Sequence, residues 1–303
     1  MSVLAVRSFV VNCIPGRLVR IFASPYVAGD SLEKGLSTAD RLWNERRVEA
    51  TMDVLGEAEK SREKVREAVQ LYLRTLEAVK GREYCTISVK PGHFGYYVDP
   101  QFCRENIEEM AAACQKAGRG LTVDMEDIDL TDFTLQLYRD LKPKYPILGT
   151  VLQSRLYRTE KDIDMLDGLS AHVRLCIGIY RVRPPHAMQK KREMKENLLK
   201  LLDKLADRGH TICVATHDVE YVRKAWQMLK DKGVPKERRE FQMLLGVPRD
   251  GLQKELVEAG ERVRLYVPFA LHWDDAIAYL RRRMLESPTM AGLVLKNLLS
   301  RNH

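Results

Sequence analysis

The feature that most constrains this chain is a repeated alternation of short β-rich runs with helical stretches. The runs are Val48–Leu55, Tyr84–Lys90, Gly120–Met125, Ile147–Leu152, Val173–Tyr180, Thr211–Ala215, Glu240–Leu244 and Val263–Val267. Between them lie amphipathic segments such as Arg62–Val79, Gln101–Lys116, Phe133–Leu141, Lys190–Ala206, Val219–Lys232 and Gln253–Glu258, each ended or followed by Gly, Pro or polar residues. Strands that alternate with helices pair in parallel, because the crossover helix returns the chain to start the next strand in the same direction. Eight such units in roughly 250 residues favour an α/β (βα)8 barrel of the TIM type over an open doubly wound sheet. No Gly-x-Gly-x-x-Gly follows a strand, so a dinucleotide site of the Rossmann kind has no support. With 303 residues, 45% of them hydrophobic, the chain can bury such a core. The expected organisation is a helical segment over 1–45, packed on a barrel over 46–303.

A (βα)8 barrel binds ligands at the carboxyl ends of its strands. Polar residues stand there in almost every unit: Glu57, Lys90, Asp124 with Glu126, Gln153, Tyr180 with Arg181, Thr216 with His217, Gln242 and Tyr266. Each alone is more often a solvated cap than a catalyst, but together they line one mouth. Lys90 and Asp124 end adjacent strands and are expected to pair, since a buried charge persists only when paired. The last helix adds cations. At about 100° per residue, Tyr279, Arg282, Arg283 and Glu286 share a face beside an apolar stripe of Trp273, Ala276, Ile277, Leu280 and Met284, while Arg281 falls away from that cluster. A solvated basic face is the bland reading of an arginine triplet. Over a barrel mouth, Arg282, Arg283 and Lys90 instead suit a small carboxylate, with Tyr180, Tyr266 and Tyr279 as walls that are apolar with polar tips.

Composition narrows the partners. Fifty Lys and Arg against 42 Asp and Glu leave a net charge of +8 that is scattered along the chain. No nucleic-acid signature accompanies it, so no nucleic acid is expected as a partner. The six cysteines have neither Cys-x-x-Cys nor zinc-ligand spacing, which argues for free thiols in a reducing, cytoplasmic setting and against a metal site. Residues 2–23 are too interrupted by Arg and Pro-Gly to span a bilayer. Their acid-free, Arg-bearing character suits a transit segment, an amphipathic surface helix or a helix packed on the domain.

In order and spacing these residues resemble flavin-dependent proline dehydrogenase of the monofunctional bacterial type. The resemblance runs from about Tyr26 to the last helix. It is carried by Asp53-Val-Leu-Gly-Glu57, Ser88-Val-Lys90, Asp124-Met-Glu-Asp127, Val151-Leu-Gln-Ser154 with Tyr157-Arg-Thr159, Arg174-Leu175, Gly178, Tyr180-Arg181, Ala215-Thr-His-Asp218, Phe241-Gln242, Tyr266-Val-Pro-Phe269, Tyr279 and Arg282-Arg283. It implies a distorted barrel holding FAD and oxidation of L-proline to Δ1-pyrroline-5-carboxylate, with hydride passing to the flavin. By the same resemblance Arg282, Arg283 and Lys90 clamp the substrate carboxylate, Asp124 fixes Lys90, Tyr266 and Tyr279 shape the ring site, and Leu244 packs on the ring. Arg181 closes over the site and pairs with Glu57 as a gate. Met125, Gln153, Arg174, Thr216 and His217 contact the flavin. Electrons pass on to a quinone or another acceptor, which implies a peripheral contact with the inner membrane.

The chain departs from the family pattern at three places. Ile177-Gly178-Ile179-Tyr180 replaces the usual Lys- or Arg-Gly-Ala-Tyr, Pro91-Gly92-His93 follows Ser88-Val-Lys90, and Leu245 replaces an aromatic or His. Added bulk at Ile179 narrows a tight site. Two other readings stay open at this point. One is a lyase or aldolase barrel using Lys90 as a Schiff base; the other is a non-catalytic flavin-binding relative.

Overall fold

In a computed structural model, the described residues are Val19, 25–56, 58–180, 182–271 and 273–286, without the side chains of Ala278 and 282–286. Helix α1 (Leu32–Arg46) begins at Ser31, whose hydroxyl accepts from the Lys34 amide at 3.3 Å, and ends where Arg47 turns left-handed at φ 53°. Eight βα units follow: β1 (Glu49–Val54), α2 (Arg62–Ala78), β2 (Cys85–Val89), α3 (Pro100–Ala117), β3 (Leu121–Val123), α4 (Thr131–Leu141), β4 (Leu148–Gln153), α5 (Thr159–Asp164), β5 (His172–Cys176), α6 (Lys191–Asp207), β6 (Thr211–Ala215), α7 (Val219–Asp231), β7 (Arg239–Leu244), α8 (Asp250–Glu258), β8 (Arg262–Phe269) and α9 (Trp273–Glu286). Every strand pairs in parallel with its sequence neighbours, and β1 closes on β8 from Glu49 opposite Arg264 to Val54 opposite Phe269. The closed barrel expected from the alternation is therefore present. Helix α1 packs against the seam, touching β1 and β8.

Strand parity divides the interior. On β1, Ala50, Met52 and Val54 point into the apolar core shared with the surrounding helices. Thr51 and Asp53 have the opposite parity and bond to side chains of the neighbouring strand β2 and its end, to Thr86 at 3.1 Å and to Lys90. At the amino-terminal end, the floor, four charges neutralise one another. Arg264 donates to Glu49 and to both oxygens of Glu240, at 2.8 and 3.2 Å for the latter, while Arg262 lies 3.1 Å from Glu49 and 2.9 Å from Glu240.

Several element boundaries moved, those of the fifth and third strands with a bearing on the site, and one helix is new. The fifth strand ends at Cys176 rather than Tyr180, because Gly178 takes φ 96°, outside the extended region. The third ends at Val123 rather than Met125, so Asp124 and Met125 begin the loop above it. Helix α5 has no counterpart among the sequence-derived helices; its 6 residues are too few to carry a periodic stripe. Among the described residues the five cysteines are free, there is no group of three or more potential metal ligands, and no helix is long and apolar enough to cross a membrane.

Candidate active site

The carboxyl end of the barrel, the mouth, gathers a second set of charges. Lys90 follows β2 directly, and its ammonium donates to Asp53 of β1 and, at 3.1 Å, to the phenol oxygen of Tyr266 on β8. Asp124 lies farther away, 3.7 Å from Lys90 Nζ. The expected Lys90–Asp124 pair is thus a secondary contact, and Asp53 is the main partner. Asp124 instead accepts at Oδ1 from Arg174 Nη1 (2.5 Å) and Ser88 Oγ (2.7 Å), and at Oδ2 from the Tyr266 hydroxyl (2.6 Å). Arg174 turns its Nε toward Gln242 Oε1 at 2.6 Å. The Tyr266 ring lies between the two cations, 5.6 Å from Lys90 Nζ and 5.3 Å from the Arg174 guanidinium carbon.

Environment sets the protonation of each member. Burial works against charge on Asp124, but Arg174 and Lys90, with hydrogen bonds from Tyr266 and Ser88, outweigh it and hold the carboxyl below its ordinary range. Asp53 is fully buried, and burial pushes its pKa up; Lys90 opposes that shift and Asp124 adds to it. Burial also acts against the Lys90 ammonium, but Asp53 and Asp124 outweigh it and keep the group charged. Tyr266 is held well above 10 by burial and by the two carboxylates, so it remains a neutral phenol.

The other candidates surround this cluster. Gln153, the last residue of β4, donates to the Glu126 carbonyl at 2.9 Å, and its own Oε1 is buried with no hydrogen-bond partner. Gly178 covers it closely: a Cβ there would stand 2.3 Å from Gln153 Oε1. Thr216 Oγ1 accepts from the Asp218 amide at 3.3 Å. His217 Nε2 accepts from the Leu244 amide at 2.9 Å, which leaves Nδ1 to carry the ring proton, and its carbonyl accepts from Arg249. Met125 is buried in the main core, while Tyr279 sits in a satellite cluster with Tyr26, Leu55 and Leu280 against which Leu244 packs. Ala276 and Leu280 bury the expected stripe of α9, and Arg281 is half-buried. Arg282 and Arg283 lie in α9, but their side chains, like all of Glu57 and Arg181, fall outside the described residues.

A model of the family described as proline dehydrogenase matches residues 36–183 and 186–294. The chain belongs to the proline dehydrogenase family. Proline dehydrogenase 2 of Bacillus subtilis strain 168 is 32% identical over 280 residues, covering 92% of this chain and 91% of that one. Proline dehydrogenase of Deinococcus radiodurans is 31% identical over 285 residues, covering 91% and 90%. Among solved structures, proline utilization A from Bdellovibrio bacteriovorus, inactivated by N-propargylglycine, superposes with a TM-score of 0.79 at 20% identity. It covers 88% of this chain and 32% of its own, a likeness of fold.

Membership in the proline dehydrogenase family makes the chain an oxidoreductase and implies a flavin, and the mouth fits one. The unpartnered Gln153 oxygen can accept from a ring imide, the glycine above it leaves room for close approach, and Arg174 places positive charge nearby. The departure at Pro91-Gly92-His93 is a packing element. The His93 ring fills the space under Gly56, where a Cβ would stand 2.3 Å from it, and meets Tyr72 edge-on at 5.9 Å. Asp53 was not among the sequence-derived site residues, although it opens the first family motif. Its inward parity beside Thr51, on a strand otherwise apolar at alternate positions, was the available signal.

Proposed function

We propose that this proline dehydrogenase family member uses FAD to oxidise L-proline to Δ1-pyrroline-5-carboxylate, the first step of proline catabolism. The observation that carries the reading is the mouth cluster of Asp53, Lys90, Asp124, Arg174 and Tyr266, with two cations alternating with two acids where a barrel binds its ligand. Lys90 is kept an ammonium and held at Asp53, so it offers a fixed positive charge to a substrate carboxylate, together with Arg282 and Arg283 from α9. Tyr266 and Tyr279 wall the ring, Leu244 packs on it, and Asp124 sets the charge of the pocket. Met125, Gln153, Arg174, Thr216 and His217 hold the flavin, while Glu57 and Arg181 gate the entrance. When bound, the flavin supplies the hydride acceptor for the carbon beside the substrate nitrogen. The residues around it orient that carbon, exclude water and favour the neutral amine.

The division proposed is a helical segment over 1–45 and a catalytic barrel over 46–303; the packing of α1 on β1 and β8 supports it, while 1–18, 20–24 and 287–303 lie outside the described residues. The enzyme works in the cytoplasm and passes electrons to a quinone or another acceptor at the membrane surface, where its net charge of +8 favours the encounter. The Schiff-base reading is disfavoured by Lys90 itself, since a nucleophilic lysine must be neutral and this one is held charged by two carboxylates. An absorbance spectrum before and after anaerobic L-proline tests the proposal. Oxidised flavin that bleaches is expected. Protein that takes up no flavin on reconstitution would overturn the proposal, and bound flavin that proline does not bleach would favour a non-catalytic relative.

A further inference from the structure

The floor and the mouth are joined by one side chain. Gln242, inward on β7, donates from Nε2 to Glu240 Oε1 at 2.6 Å and accepts at Oε1 from Arg174 Nε at 2.6 Å. Arginine can only donate and an ionised carboxylate can only accept, so the amide has a single allowed orientation. A flip would set the amide NH2 against the guanidinium and the amide oxygen against the carboxylate, with both contacts repulsive. Glu240 is itself immobilised by Arg262 and Arg264 and is 1% exposed. Arg174 thus has two anchors: Asp124 and Ser88 hold Nη1, and Gln242 holds Nε. Two anchors on different edges fix the plane of a guanidinium, whereas one would let it swing about the shared bond.

We propose that Gln242, oriented by Glu240, is a positioning residue that sets the plane of Arg174 toward the flavin and so tunes the flavin's reduction. This rests on the flavin reading of the mouth. Positive charge stabilises the electron-rich reduced ring only where it is preorganised, and Gln242 supplies that preorganisation from below without touching substrate or cofactor. The electrostatic character of the mouth is then set partly by the ion network of the floor, through one neutral amide.

The test uses the full chain reconstituted with FAD. Gln242→Met keeps volume but removes both hydrogen bonds. The variant should keep its flavin, with reduction at saturating proline at least tenfold slower. Tenfold weaker stabilisation of the reduced form would appear as a two-electron potential about 30 mV lower. A merely structural role is separated by repeating the substitution in an Arg174→Lys background, where it should change rate and reduction equilibrium by less than twofold. Glu240→Gln, which can donate or accept and so frees the amide to flip, should move the potential in the same direction and serves if Gln242→Met does not fold. Flavin bound with rate and equilibrium within twofold of the wild type in the variants that fold would overturn the inference alone, as would an equal effect in both backgrounds. Wild-type protein that binds no flavin would remove the reading beneath it as well.

Discussion

Two ends of the same barrel hold the same ingredients, two acids and two cations, and use them differently. At the floor, Glu49, Glu240, Arg262 and Arg264 satisfy one another, and no side-chain oxygen or nitrogen of the four is buried without a partner among the described residues. At the mouth, Asp53, Lys90, Asp124 and Arg174 also alternate in sign, yet Asp53 Oδ2 is buried without a partner and so is the neighbouring Gln153 Oε1. A buried polar atom left unpaired costs about 1–3 kcal/mol, which a structural network would avoid and a ligand site can recover on binding. The floor is built to hold the barrel shut. The mouth is built to stay incomplete.

The strongest way to break that contrast is at the floor. Glu240→Leu removes a carboxylate shared by two arginines and leaves an excess buried cation, so it should destabilise the protein by about 3–5 kcal/mol, read as a lower urea midpoint. A loss below about 1 kcal/mol would mean the floor is wet and its ion pairs are incidental. At the mouth, Lys90→Met should act mainly on function. Losing the fixed charge should lower kcat/KM for proline by about 10² to 10³, from the 2–5 kcal/mol typical of truncating a buried charged partner. Stability should fall less than for Glu240→Leu, because Asp53, its pKa already raised by burial, can take up a proton when its cation is gone. A variant that lost stability and kept its kcat/KM would reverse the assignment of the two ends.

The division was only half legible in the sequence. The barrel itself could be read directly, since alternation is a local pattern and each βα unit repeats it; even the strand Thr211–Ala215 fell where expected. The polar strand ends could also be read, because parity and position say which side chains reach the mouth. What could not be read is who pairs with whom. Lys90 and Asp124 end adjacent strands, which by sequence makes them partners, but Asp53 on the other neighbouring strand lies closer. Choosing between two equidistant strands in sequence order requires the stagger of the barrel, which no local pattern encodes. The floor was invisible for the same reason. Glu49, Arg262 and Arg264 look like ordinary charged residues at strand starts until closure of β1 on β8 brings them together.

A pH titration asks whether both ends are equally dry. Three histidines report on it: His93 is buried under the loop after β1 at the mouth, while the floor end holds His172 at the start of β5, beside Cys213, and the buried His210 just before β6. Burial pushes His93 and His172 down from 6.5 to about 4, with Lys90 adding to the shift at His93 and Glu240 opposing it at His172, and it lowers His210 as well. The folded state then binds fewer protons than the unfolded one, so this stabilisation is complete above the unfolded value near 6.5 and is lost as pH falls toward about 4. Between pH 7.5 and 5.5 the share of His93 and His172 should be roughly 2–3 kcal/mol, with His210 adding to the loss. Glu240 does not contribute in that window. Although burial disfavours its charge, Arg264 and Arg262 lower it from 4.5 to about 2, so its share goes only below the unfolded value. His172→Gln should remove about half of the share that His93 and His172 contribute to the slope of urea midpoints against pH, and an unchanged slope would show that the start of β5 is wet.

The smallest effect gives the sharpest comparison. Asp53→Asn replaces a fully buried carboxyl with an isosteric amide, removing a charge that burial disfavours and supplying a donor in place of the oxygen that has no partner. Its stability should lie within about 1 kcal/mol of the wild type, in contrast to Glu240→Leu at the floor. Lys90 would keep only Asp124, 3.7 Å away, as an anionic neighbour, and so would be less firmly placed for the substrate carboxylate. A fall in kcat/KM of about tenfold, carried mostly by KM, is the expected signature of weakened substrate binding. If Asp53→Asn instead cost as much stability as Glu240→Leu while leaving KM unchanged, the mouth charges would be a second structural network, and substrate recognition would have to rest on α9.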